Sequence, residues 1–232
     1  MRLRQPGLKY EADISHCGYQ MVFPSRVDPY HNTGKLMVQD HMSGLRELVV
    51  GNLVEPSLWN KLFRRELFTG LEEKMDFTIK INEDVLMNYW LFDRAQRSVF
   101  EDVCPYLYQI RAGSAANSRR TEAWLRDPIR VNRMLLDICY DQIKPFVLKR
   151  HTHHLIRCSI LTPDGCPELV VPFRKECRRE LRQRIFDILT CPVIGMKLKL
   201  MALFTAVWPA GYRMVHKLYA QISGVDRKYE IS

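Results

Sequence analysis

The stretch NEDVLMNYWLFDRAQ, residues 82–96, decides how the first half of this chain is read. Val85, Tyr89, Phe92 and Ala95 recur at helical spacing and mark one core-facing stripe. Asn82 is a residue type that caps helix N-termini, and Glu83 and Asp84 fall in the first turn, where the helix dipole favours carboxylates. The pattern predicts a helix opening at Asn82. Capping alone accounts for two acids at that place, so the doublet does not by itself declare chemistry.

Outward from this helix, short segments of both periods alternate. MDFTIKI, residues 75–81, has Phe77, Ile79 and Ile81 in strict alternation and reads as extended. WNKLFRREL, residues 59–67, reads as a helix over 57–67, with Ser57 as its cap and Trp59, Leu62, Phe63 and Leu67 on its apolar side. QDHMSGLRELVVGNL, residues 39–53, predicts another helix, with Met42, Leu45, Leu48 and Val49 on one face. ADISHCGYQMVF, residues 12–23, has strand character, and PSRVDPYHNTGK, residues 24–35, has the prolines, asparagine and glycine of a loop. On the other side, SVFEDV and PYLYQIR read as two short strands, followed by the turn AGSAANS at residues 112–118. This alternation predicts an α/β arrangement.

Beyond residue 118 the pattern becomes helical. RDPIRVNRMLLDICYDQI, residues 126–143, predicts a helix with Asp127 as cap and Pro128 at its first position. FRKECRRELRQRIFDIL, residues 173–189, is a strongly basic helix, and residues 195–221 form another, kinked or split at Pro209. The charge divides at the same point. Residues 1–118 carry 14 Lys and Arg against 15 Asp and Glu, whereas residues 119–232 carry 21 against 11.

A basic half implies an anionic partner. The sequence has neither a Cys/His zinc-finger spacing nor an aromatic RNP stretch, which argues against nucleic acid. Seven scattered cysteines without a Cys-x-x-Cys pair fit a reduced compartment better than a disulfide framework. HTHHLIRC, residues 151–158, invites a metal reading through His151, His153, His154 and Cys158, but a second ligand pair is missing. The N-terminus lacks the apolar core of a signal peptide, and the apolar run at 200–212 is too short to span a bilayer.

EADISHCGY, WNKLFRREL, NEDVLMNYWLFDRA and PYLYQIRAGS occur in this order over roughly residues 10–118. The set resembles the C-terminal part of family 2 glycosyltransferases, inverting enzymes of the GT-A fold that use nucleotide sugars. The resemblance implies an incomplete GT-A-like α/β half-domain over residues 1–118, the acceptor side, followed by a mostly helical basic subdomain over 119–232. It implies transfer of a sugar from a nucleotide-sugar donor to a polysaccharide or lipid-linked acceptor. Asp84 would be the general base that takes the acceptor hydroxyl's proton, with Glu83 as its neighbour. Trp59, Lys61, Arg111 and Ser114 would line the substrate cleft, the cations facing the diphosphate.

Full-length members hold a divalent ion, Mg or Mn, on an Asp-x-Asp motif. No such motif precedes residue 60, where Asp13, Asp28 and Asp40 stand alone. The expectation is therefore a truncated form with little activity by itself; the alternative is a non-catalytic binding or assembly module of the same ancestry. Cytoplasmic placement is expected. Residues 191–221 contain Lys197, Lys199, Arg213 and Lys217 and no acid, which suggests peripheral attachment to an anionic membrane, against the alternative of a core helix.

Overall fold

A computed structural model describes residues 3–110, 121–162 and 166–223. The chain divides into two compact units, Met1–Ser118 and Arg119–Glu230.

In the first unit the elements run α1 (Arg4–Lys9), β1 (Ile14–Val22), β2 (Val27–Pro29), β3 (Leu36–Asp40), α2 (His41–Val50), β4 (Lys61–Phe63), α3 (Glu83–Arg94) and β5 (Arg97–Gln109). The result is a mixed α/β architecture. The strands form one five-stranded sheet in the order β2-β1-β5-β3, with β4 also paired to β1. β1 runs parallel to β5 and antiparallel to β2 and β4, and β3 is antiparallel to β5. α2 and α3 bury Leu45, Leu48, Val49, Val85, Leu86, Tyr89 and Phe92, together with Ile14, Val99 and Phe100 of the sheet. The stripe expected on α3 is the one that packs.

Several local expectations are corrected, each by a competing interaction. Residues 57–67 are not a helix. Lys61 to Phe63 pair with Ile14 to His16 as β4, and only Arg65–Phe68 coil, as a single 3-10 turn. Sheet pairing has overridden local propensity there. MDFTIKI is not a strand: Asp76 accepts hydrogen bonds from the Thr78 backbone N–H and hydroxyl at 3.0 and 2.5 Å, a local turn that competes with extension. Phe77 is left in solvent and Ile79 is buried.

Asn82 precedes α3 in the left-handed conformation, φ 67°, and its side chain makes no capping bond. Asparagine is among the few residues that visit this region readily, so it serves to turn the chain sharply into the helix. SVFEDV and the PYLYQ of the next segment lie on one strand, β5, interrupted by a bulge. Cys17 pairs with Glu101, but Tyr19 pairs with Tyr106, and Pro105 occupies the bulge, a place that tolerates its missing N–H.

In the second unit the described elements are α4 (Glu122–Ile138), α5 (Lys144–Ser159), α6 (Pro167–Gln183), α7 (Ile185–Thr190), α8 (Met196–Val207) and α9 (Pro209–Ser223). α4 begins earlier than expected. Thr121 caps it by accepting from the Trp124 N–H at 3.1 Å, which leaves Pro128 in the helix interior and Asp127 buried. Pro209 divides the last helical stretch into two, as its sequence position implies. Leu125, Ile129, Leu155, Val170, Phe173, Leu181, Ile188 and Ala202 are among the residues of this unit's core. No helix among the described residues is long and apolar enough to cross a membrane.

Candidate functional site

The loop from Glu55 to Lys61 is built around one buried cation. The Lys61 ammonium donates to the carbonyls of Glu55 and Ser57 at 2.6 and 2.7 Å and to Asn60 Oδ1 at 2.8 Å. Asn60 in turn donates from Nδ2 to the Cys17 carbonyl at 2.6 Å, so the loop is fastened to β1. Burial pushes Lys61 down to about 7, while the nearby carboxylates of Glu55 and Asp84 hold it up. Three acceptors at these distances suit an ammonium, because a neutral amine has only two protons to give.

Asn88 ties the same loop to α3. Its Nδ2 donates to the Pro56 carbonyl at 2.8 Å and to the Asp84 carbonyl one turn earlier at 2.9 Å. Asp84 and Glu83 occupy the first turn of α3; Asp84 is half-buried and Glu83 is exposed. The structure thus brings Asp84, Lys61 and the Trp59 loop into one neighbourhood, with Lys61 committed to its own loop. Arg111 and Ser114 lie outside the described residues.

Sequence reasoning missed the aromatic wall beside this loop. Trp59 stacks on Tyr106 and Tyr108, with ring centroids 4.5 and 5.1 Å away and planes 28° and 25° from parallel. Tyr19 sets its edge against Trp59 at 4.9 Å and stacks on Tyr30 at 5.1 Å. The sheet dictates this grouping. Tyr19 and Tyr106 are register partners on adjacent strands, and Tyr106 and Tyr108, two residues apart, share a face. The signal was present as the Tyr-x-Tyr spacing of PYLYQ, but its partners come from distant parts of the chain.

The bulge in β5 is held by the loop before β3. Asp102 Oδ2 accepts from the Thr33 N–H and hydroxyl at 2.8 and 2.5 Å, and the Gly34 N–H donates to the Asp102 carbonyl at 2.8 Å. Gly18 lies opposite, where a Cβ would meet Cys104 Sγ and the Val103 carbonyl oxygen at 3.1 Å. Behind the wall, His16 is fully enclosed between Phe92 and Phe100 and bonded to Gln39 at 3.2 Å. Burial, and then the Lys61 charge, hold its pKa well below the ordinary histidine value, so it is neutral.

His151 and His154 of HTHHLIRC are used for packing in the second unit, and His153 is exposed. His151 Nε2 donates to Glu180 Oε1 at 2.8 Å, and Asn132 Nδ2 meets His154 Nδ1 at 2.6 Å. Burial keeps His151 below its ordinary value in spite of Glu180, and burial with Arg150 and Arg157 pushes His154 down to about 3. Burial would raise Glu180, but hydrogen bonds from His151 and Arg133 hold it well below the carboxylate range. A neutral imidazole beside an ionised carboxylate satisfies both tendencies; the compensating charge comes from Arg133, at 2.6 Å, and Arg184, at 3.3 Å. Among the described residues no three His, Cys, Asp or Glu side chains come together to hold a metal ion.

No family model matches this chain, and no curated protein matches it.

Proposed function

We propose that residues 1–118 form the acceptor side of a family 2-type glycosyltransferase, the incomplete GT-A-like half of a hexosyl-transferring enzyme. The observation that carries this reading is the wall of Trp59, Tyr106, Tyr108, Tyr19 and Tyr30 next to the loop that approaches Asp84. A pyranose ring presents a face of polarised C–H groups, and the electron-rich face of an aromatic ring attracts it. Tyr106 and the half-buried Trp59 leave part of the wall open to solvent. Asp84 would then accept the proton of the sugar hydroxyl that attacks the donor's anomeric carbon.

One observation favours the second reading, a glycan-binding module without turnover. Lys61, the cation expected to meet the diphosphate, spends its ammonium on three oxygens of its own loop. In either reading Lys61 positions Trp59 by fixing the loop that carries it.

Titration with neutral oligosaccharides, read by tryptophan fluorescence and by NMR line shifts, tests the shared part. Saturable binding that weakens in a folded Trp59→Ala variant is expected. Absence of binding across hexose-, hexosamine- and deoxyhexose-containing oligosaccharides would overturn both readings. Transfer from nucleotide sugars to a bound oligosaccharide then separates enzyme from module.

A further inference from the structure

α8 is apolar on two sides, and the fold covers only one. Leu198, Ala202, Thr205 and Ala206 are buried in the core of the second unit. Met196, Leu200, Leu203 and Val207 follow one another at spacings of four, three and four residues, which is a single stripe along a helix. All four are exposed, Met196 at 69% and Val207 at 73%. Trp208, the residue after Val207, is 56% exposed at the C-terminal end of the helix. Its indole lies so close over Gly211 that a Cβ there would collide with the ring. Glycine thus allows the ring its place at the α8–α9 corner.

An exposed row of this kind calls for an occupant. The charge around it selects one. Lys197 and Lys199 flank the stripe, Arg213 follows in α9, and no acidic residue occurs between Asp187 and Asp226. A second copy of the same face would set cations against cations, so self-association is disfavoured. A helix of 12 residues is too short to cross a bilayer but can lie along its surface. An amphipathic indole at the end of the helix suits the headgroup boundary.

We infer that the uncovered face of α8 docks on an anionic lipid bilayer surface, the apolar stripe entering the headgroup region while Lys197 and Lys199 meet lipid phosphates. This rests on the second unit alone and is independent of the glycan reading.

The test is flotation of the full chain with vesicles of equal parts phosphatidylglycerol and phosphatidylcholine at low salt. Binding is expected, with a blue shift of emission that Trp208→Phe removes. Lys197→Gln with Lys199→Gln should weaken partitioning roughly 25-fold, about fivefold for each charge lost near the surface. Leu200→Glu with Leu203→Glu should abolish flotation while circular dichroism stays unchanged, because neither side chain is part of the core. Failure of the folded chain to float overturns the inference, as does equal flotation by the double glutamate variant. So does a dimer that this variant dissociates in the absence of lipid binding.

Discussion

Trp59 lies nearly parallel to Tyr106, centroids 4.5 Å apart, although one sits before β4 and the other on β5, strands that both pair with β1. The indole reaches across the central strand from the loop before β4 to the strand on its far side. Removing either ring therefore removes part of the same wall. We expect Trp59→Ala and Tyr106→Ala each to weaken oligosaccharide binding by about two- to twelvefold, given that an aromatic contact contributes roughly 0.5–1.5 kcal/mol beyond its buried area. Because Tyr106 is the more exposed, its variant should lose less stability to urea. Unchanged binding in both would exclude the wall as the glycan site.

Asp84 provides the check on chemistry. Where transfer is measured with a donor-binding half supplied, Asp84→Asn should lower turnover by about 10²–10⁴-fold, the usual cost of losing a general base. Oligosaccharide affinity should stay unchanged, since the wall is intact. Turnover near the parent value would reduce Asp84 to a helix-dipole partner, with an effect on stability of about 0.5 kcal/mol.

Lys61 makes the first unit sensitive to alkaline pH in an unusual direction. Its ordinary value is 10.5, and burial brings it to about 7 in the folded chain. Between these values the unfolded chain holds the extra proton, so stability rises with pH, by up to about 1.4 kcal/mol per unit. Urea unfolding at pH 7, 8 and 9 should show this rise in the parent relative to Lys61→Met, which lacks the titrating group. Parallel pH profiles for the two would mean that Lys61 stays charged throughout, held by its three oxygens.

The second unit should weaken in acid. Glu180 is held below its ordinary value, so the stability it contributes is present above about 4.5 and is lost as pH falls through its folded value. His151 is also depressed, and for a base this means the unfolded chain binds more protons below 6.5, which again costs stability as pH falls. Glu180→Gln takes from Arg133, Arg184 and His151 the negative charge they share and one of its two acceptor oxygens. It should destabilise the unit by about 1–3 kcal/mol at pH 7, the usual cost of taking the partner from a buried hydrogen-bonding group, since the two arginines are partly open to water. Thermal unfolding followed by helical circular dichroism measures both effects.

Periodicity found the elements whose faces are set by their own residues. α2 and α3 were legible because Leu45, Leu48, Val85, Tyr89 and Phe92 repeat at the spacing of the surface they bury, and β1 through its strand-forming residues rather than through a period. β4 was not, because Lys61 to Phe63 are strand only through pairing with Ile14 to His16. The start of α4 was misread because Asp127 and Pro128 offer a better local N-terminus than Thr121 does. Of the site, the sequence displayed Asp84, Lys61 and Trp59 as residues of suitable chemistry. That Lys61 is held inside its loop, and that three tyrosines gather around Trp59 with Tyr30 stacked on one of them, depend on a sheet that brings residues 19, 30, 59, 106 and 108 together.

The parallel pairing of β1 with β5 has a kinetic consequence. Ile14 meets Ser98, about eighty residues along the chain, and every other strand of the sheet except β3 attaches to β1. During synthesis β1 leaves the ribosome long before its principal neighbour exists, with only the short β2 and β4 to cover one of its edges. The helices of the second unit, by contrast, pack largely on sequence neighbours, and such local closure is fast. Refolding from denaturant should therefore show helix appearing well before the indole of Trp59 finds its tyrosines, and the interval between them is the time in which an unpaired β1 can recruit the wrong strand.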